Sequence, residues 1–293
     1  MTLGAGDLVL CSGTLPRDVS FDTRIEAAKA GGFSAISLWG RDYQRARDDG
    51  LSDADMRHLL ADNGLAVGEL DPAWWWLPGA EAAAQAIPAE FDAQDIFRFG
   101  EDDLFAVAEA LGARSMNAVD VFGGDWDVDD AAEAFAGLCD RAGEHGLVVH
   151  LEFLPWSKIP DVGSAWEVVR RAGRSNGGIA IDAWHFFRAG ADHETLGAIP
   201  GDRVLGLQLD DGPAVPEANL IEATLHERLL PGEGEFDLAG LMATLRHIGV
   251  QAPTGVEVFS DELHRLPPVE AARKAGAATR RLLSRAGPSP EAG

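Results

Sequence analysis

Residues 148–156 read VVHLEFLPW, residues 179–187 IAIDAWHFF, residues 205–211 LGLQLDD and residues 254–260 TGVEVFS. Each is a near-continuous apolar run interrupted by a lone polar residue near its end: Glu152, Asp182, Gln208 and Glu257 in turn. Apolar runs of this kind read as strands buried on both faces, the situation of a parallel sheet. Longer amphipathic stretches separate them, so the second half of the chain reads as repeated strand–helix units.

The pattern extends to the N-terminus. Strands are expected at Leu8–Cys11, Ala35–Trp39, Ala66–Leu70, Ser115–Val119, Leu147–Phe153, Gly178–Asp182, Val204–Leu209 and Gly255–Phe259. Helices are expected at Thr23–Ala30, Asp53–Asp62 with Ser52 as N-cap, Asp102–Leu111, Ala131–Glu144, Ser164–Ala172, Glu194–Ile199, Leu238–His247 and Val269–Ser284. Most of them stop at a glycine (Gly31, Gly64, Gly112, Gly146, Gly173, Gly249), the usual residue just past a helix. Eight such units predict a single-domain (β/α)8 TIM barrel over residues 1–286. The competing doubly wound sheet would carry a Gly-rich phosphate loop after its first strand, and Cys-Ser-Gly-Thr-Leu-Pro is not one. Loop insertions are expected at 71–98 and 210–237, after strands three and seven, on the side of a barrel where active sites lie. The Pro/Gly-rich stretch 287–293 is expected to be a disordered tail.

Forty-eight acidic residues against 24 basic ones give a net charge of −24. Such a field repels phosphate backbones and argues against a nucleic-acid partner. The two cysteines, Cys11 and Cys139, are too few and too far apart for a disulfide framework or a CxxC site. No run of about 18 apolar residues suggests a membrane span, and MTLGAGDLVLCSGTLP lacks the pattern of a secretory leader. A cytoplasmic protein is expected.

The lone polar residues carry the chemistry. A buried carboxylate is costly unless it is paired, protonated or bound to a cation. Three of them on adjacent strand ends would repel one another, and a divalent metal relieves that repulsion. Three carboxylates and an amide oxygen form a hard set, suited to Mn²⁺, Mg²⁺ or Co²⁺ rather than zinc.

The order Glu, Asp-x-x-His, Gln or His, then Glu, on strands five to eight, resembles the sugar phosphate isomerase/epimerase family, the xylose-isomerase-like barrels. The resemblance is sharp between Val148 and Phe259. It implies Glu152, Asp182, Gln208 and Glu257 as metal ligands, with Glu152 and Glu257 also moving the substrate proton. It implies substrate contacts for His185 and for Arg228, which precedes a Pro-Gly-Glu-Gly-Glu-Phe-Asp turn. Members often assemble as homo-oligomers. Two departures stand out: Gln208 occupies a position where many members have His, and Lys158 replaces the second glutamate with which the family's epimerases hold substrate.

The expectation is therefore a metal-dependent isomerase or epimerase that acts on a small polyhydroxylated carbonyl compound through a metal-stabilised enediolate. A lyase, such as a dehydratase of a cyclic keto-polyol or a C-glycoside-cleaving subunit, is the alternative. An endonuclease for abasic DNA and a non-catalytic binding barrel are weaker readings. Trp39, Trp156 and Trp75, the last within the Trp74-Trp75-Trp76 triplet, are candidate substrate walls that suggest an aromatic part to the ligand. Glu69 and Arg41 are candidates for the pocket mouth, and His150, two residues before Glu152, for orienting a ligand from one layer deeper.

Overall fold

The computed structural model describes residues 2–85 and 96–285. The apolar runs form strands β1 (Leu8–Leu10), β2 (Ala35–Leu38), β3 (Ala66–Ala73), β4 (Ser115–Val119), β5 (Val148–Glu152), β6 (Gly177–Asp182), β7 (Val204–Leu209) and β8 (Thr254–Val256). They pair in chain order, all parallel, and β8 returns to β1 to close an eight-stranded barrel. Closure leaves no free sheet edge. Helices lie between the strands and cover them. In the helix Val128–Glu144, Ala131, Phe135, Leu138, Cys139 and Ala142 are buried at helical spacing, the stripe expected of a helix laid on a sheet. Phe135 is fully buried and meets Trp76 edge-on with 5.7 Å between ring centroids. Burying one such side chain contributes about 1.5–3 kcal/mol.

The register brings the strand ends level with one another. Glu152 closes β5 opposite Val119, Asp182 closes β6 opposite Gln208, and Gln208 faces Gly255 on β8. Side chains two apart on a strand share a face, so His150 lies one layer below Glu152, paired with Asn117 of β4. Space for that ring comes from Gly206, where a Cβ would fall 2.8 Å from His150 Nδ1.

The predicted helices Asp53–Asp62 and Leu238–His247 have those bounds, and Ser52 caps the former. The first helix begins earlier, at Phe21, and its left-handed stop is Gly32 (φ 72°) rather than Gly31. Among the described residues, five helices were not expected: Gly40–Asp48, Ala80–Ala84, Ala183–Arg188, Leu220–His226 and Asp261–His264. The first of these, GRDYQRARD, has almost no apolar stripe, and the others are too short to show a period. Strand β3 runs to Ala73, so Asp71 and Pro72 belong to the barrel and not to the loop. Residues 86–95 of the first predicted insertion, and the predicted tail, lie outside the described residues. The insertion after β7 is tied down by the helix Leu220–His226 and by an antiparallel bridge between Asp211 and Leu229. Among the described residues, no helix is long and apolar enough to cross a membrane.

Candidate active site

A cavity of about 490 Å³ opens at the carboxyl ends of the strands. Asp71, Glu152, His185, Thr224, Arg228 and Glu257 are its polar lining, with Arg17 as a further cation; aromatic and aliphatic side chains, among them Trp39, Phe97, Val121, Phe122, Trp156 and Phe259, make most of its wall. The strand ends position the acids and the apolar walls desolvate them, so their charges interact strongly.

Glu152 accepts a 2.7 Å hydrogen bond at Oε2 from Asn117 Nδ2. Its Oε1 is buried without a hydrogen-bond partner, 3.7 Å from His185 Nε2. Asp182 ends β6 and caps the helix Ala183–Arg188: its Oδ1 accepts from the His185 backbone N–H at 3.0 Å. The helix starts with no loop after the strand, which is why Asp-x-x-His returns His185 over Asp182. Ligand atoms of Glu152, Asp182 and His185 lie within 4.8 Å of one another. Gln208 donates from Nε2 to Glu69 Oε1 at 3.0 Å, and its Oε1 is buried and unpartnered.

Glu257 lies outside that cluster. Its Oε2 is 3.6 Å from Arg228 Nη1. The same Nη1 donates to Asp182 Oδ2 at 2.8 Å and to Asp210 Oδ2 at 2.7 Å, while Nε donates to the Thr224 carbonyl at 3.0 Å. Arg228 is thus a buried counter-ion to three acids, with its guanidinium 4.9 Å from the Phe259 ring centroid.

This crowding governs protonation. Burial pushes the Glu152 carboxyl well above the usual range, and Asp182 and Asp71 push it further. Burial also raises Glu257, against the pull of Arg228 and with the push of Asp71 and Glu152. Asp210 is raised by burial and by Asp182. Asp71 is raised to about 7 by burial and by Glu69, despite hydrogen bonds from Trp39 and Asn117. His185 is lowered to about 4 by burial, so its ring is neutral at pH 7. Burial works against the charge on Arg228, but Asp182, Asp210 and Glu257 more than offset it and hold its pKa above the ordinary value.

The residues fit a divalent cation. Acids held above their ordinary pKa by burial and by one another are those a cation would ionise. Among the buried oxygens without partners, Glu152 Oε1, Gln208 Oε1 and Asp210 Oδ1, the first two belong to the expected ligand set and are orphaned acceptors a bound ion would satisfy. His185, expected to touch substrate, stands inside the cluster as a nitrogen donor.

Several expectations need correction or completion. Trp39 and Trp156 line the cavity. Trp39 donates from its indole to Asp71 Oδ2 at 2.9 Å and stacks on Phe259, and Trp156 meets His185 edge-on at 5.4 Å. Trp75 is not among the lining residues. Its indole donates to Glu101 Oε2 at 2.7 Å, and its neighbours Trp74 and Trp76 are buried in packing with their indoles bonded to the Phe99 and Val119 carbonyls. The triplet therefore anchors the segment after β3 instead of walling the substrate. Lys158 turns away from the acids, with Nζ donating to the Gly124 carbonyl at 2.9 Å and lying 4.3 Å from the Trp126 ring centroid. Arg41 is buried with its guanidinium against Trp39. Glu69 lies in the barrel interior, with Gln208 and His150. Asp71, Asp210 and Asn117 were not anticipated. The Asp-Pro step that follows the apolar run of β3 and the doubled aspartate in LQLDD were the available signals for the first two, and nothing marked Asn117.

A model of the xylose isomerase-like TIM barrel family matches residues 25–282. The chain is 30% identical over 267 residues to the 3-dehydroshikimate dehydratase of Pseudomonas aeruginosa, covering 88% of this chain and 38% of that one. It is 29% identical over 157 residues to the inosose isomerase of Bacillus velezensis, covering 53% of this chain and 55% of that one. The chain thus spans well under two thirds of the length of these relatives. Its fold superposes on the crystal structure of the IOLI protein with a bound zinc atom, with a TM-score of 0.79, 20% identity, and coverage of 95% and 98% of the two chains. A family match that runs from the first helix to the last, on a closed eight-stranded barrel, makes this chain a member of the xylose isomerase-like TIM barrel family.

Proposed function

We propose that the chain is a divalent-metal-dependent lyase that removes water from a cyclic hydroxy-ketone, with isomerisation of such a ring as the second reading. The observation that carries the proposal is the pairing of uncommitted buried acceptors, Glu152 Oε1 and Gln208 Oε1, with Asp182 and His185 at the floor of a largely apolar cavity. Walls with few hydrogen-bonding groups suit a ring with apolar faces better than an open-chain polyol, whose hydroxyls would lose their partners on entry. Lys158, bonded away from the acids, stands where the resemblance implies the extra carboxylate of a ketose epimerase. The similarity to a 3-dehydroshikimate dehydratase runs along 88% of this chain, against 53% for the inosose isomerase, which supports placing dehydration first.

Glu152, Asp182 and Gln208 would hold the ion, while Glu257, which the resemblance counts among the ligands, lies outside that cluster beside Arg228 and serves as an acid; Mn²⁺ suits this set first, then Mg²⁺ or Co²⁺. When bound, the ion would supply a Lewis acid to polarise the substrate carbonyl and offset charge developing on its oxygen. Glu152, held at Oε2 by Asn117, takes the α-proton. The electrons of that C–H bond become the new C–C double bond, and the β C–O bond breaks. The departing hydroxide takes a proton from Glu257, whose burial favours its protonated form, and leaves as water. His185, uncharged and against Trp156, orients the substrate with a hydrogen bond and without repelling Arg228. In the isomerase reading Glu257 returns the proton to carbon instead.

The test is proton NMR in D2O of the Mn²⁺-reconstituted, then Mg²⁺-exchanged, enzyme with 3-dehydroshikimate and inosose. New unsaturated-ring signals from the first support the lyase. Deuterium at an α-carbon of inosose with the ring intact makes the isomerase the correct reading. Silence with both, in protein shown to bind the ion, refutes the two together.

A further inference from the structure

A chain of buried hydrogen bonds, bridged at one point by a close contact between Glu69 and His150, runs beneath the candidate site and joins two of its ligands. Gln208 Nε2 donates to Glu69 Oε1 (3.0 Å). Glu69 Oε2 faces His150 Nε2 (3.2 Å). His150 Nδ1 meets Asn117 Oδ1 (3.0 Å), and Asn117 Nδ2 donates to Glu152 Oε2 (2.7 Å). Glu69, Asn117, His150, Glu152 and Gln208 are all buried, and Ser115 and the absent side chain of Gly206 close the ring of His150 in place. The direction of the bonds at Asn117 is fixed by chemistry. Asn117 spends its amide hydrogens on the carboxylates of Glu152 and Asp71, so its oxygen must face His150, whose Nδ1 is therefore the donor.

An amide differs from a carboxylate or an imidazole in one respect that matters here. Its two ends are nearly the same shape, but only one of them binds a cation. A buried glutamine near a metal must be told which way to point, and a wrong turn presents N–H groups to the ion. We infer that Glu69 is a positioning residue that locks Gln208 with its oxygen toward the cavity, and so makes an amide serve at this strand end as a metal ligand. The inference rests on the metal-dependent reading above. The unpartnered Gln208 Oε1 is its mark: the nitrogen end is satisfied and the oxygen end is left for something else.

The test is Mn²⁺ affinity of metal-free protein, measured by competition with a fluorescent chelator, with far-UV circular dichroism as the check of folding. Glu69→Met removes the acceptor and should weaken binding about 10- to 100-fold, the usual cost of losing an orienting partner. Glu69→Gln removes the same charge but keeps an acceptor oxygen, and should stay within about threefold of the parent if orientation is what matters. Glu69→Met with Gln208→Glu restores the net charge and supplies a ligand that presents oxygen whichever way it turns; affinity should return to within about threefold. Glu69→Met within threefold of the parent, Glu69→Gln as weak as Glu69→Met, or a double variant no tighter than Glu69→Met each overturns the inference. Parent protein that binds no Mn²⁺ refutes the metal-dependent reading itself. Should Glu69→Met fail to fold, the parent decides: the Gln208 side-chain NH2 signals should exchange slowly and shift on Mg²⁺ addition, and fast exchange with no shift overturns the inference.

Discussion

Replacing Arg228 by Met keeps an unbranched apolar stem and removes the charge that Asp182, Asp210 and Glu257 share. The guanidinium is buried, with contacts of 2.8 and 2.7 Å to the two aspartates. Breaking a buried pair by deleting one partner costs about 3–5 kcal/mol, because the other is left buried and uncompensated. At about 2–4 °C per kcal/mol for a protein of this size, the metal-free variant should melt roughly 6–20 °C below the parent at pH 7.5 in a chelator. The orphaned acids can escape by taking up protons, so the gap should narrow at pH 5.5. Adding Asp210→Asn should recover part of the loss by removing one orphan, and Mn²⁺ should recover part by supplying another positive charge. The assay is a melt followed by circular dichroism, with urea unfolding as a check on reversibility. A metal-free Arg228→Met protein that melts within about 2 °C of the parent at pH 7.5 refutes the view that this guanidinium neutralises the site.

Glu152→Gln and Glu257→Gln should each lower turnover by about two to four orders of magnitude with the circular dichroism spectrum unchanged; near-parental rates in both would remove these residues from the chemistry. The stability of the metal-free protein should fall as pH rises from 6.5 to 8. Asp71, with its pKa raised to about 7, keeps in the folded state a proton that the unfolded chain has lost, and Glu152, Asp210 and Glu257 are shifted in the same direction. Each such proton is worth up to about 1.4 kcal/mol per pH unit. His185, lowered to about 4, acts oppositely but only below its unfolded value near 6.5, so a flat or rising melting temperature between pH 6.5 and 8 would count against the raised carboxyls, and saturating Mn²⁺ should flatten the slope. Gly206→Ala places a methyl 2.8 Å from His150 Nδ1 and should cost about 1–3 kcal/mol by overpacking; an unchanged urea midpoint would show that the ring has room to move.

The barrel was legible in the sequence because parallel strands buried on both faces leave unbroken apolar runs, and a polar residue inside such a run stands out. That is why the strand ends carrying Glu152, Asp182, Gln208 and Glu257 could be named in advance. What was missed had no comparable contrast. Asp71 follows the apolar run and reads as a turn beside Pro72, yet β3 continues through both. Asp210 is hidden by the neighbouring Asp211, which accepts instead from the backbone of Gly212, Gly232 and Phe236. Asn117 sits in SMNAV with no partner nearby in sequence, and its use depends on a cross-strand register that no local pattern encodes. The tryptophan triplet misled in the opposite way: an indole is as useful for fastening a loop through its N–H as for stacking on a ligand, and the carboxylate that claims Trp75, Glu101, lies on another element.

Between β6 and the helix Ala183–Arg188 there is no connecting loop: Asp182 is the last residue of one and the cap of the other. The joint has no slack. Any ligand that displaces His185, one turn into that helix, pulls on the backbone N–H that Asp182 Oδ1 holds and through it on the other oxygen, which grips Arg228. Substrate contact at the cavity wall and charge balance at its floor are therefore one mechanical unit, and loosening the joint by inserting a residue after Asp182 would uncouple recognition from the acids without touching either.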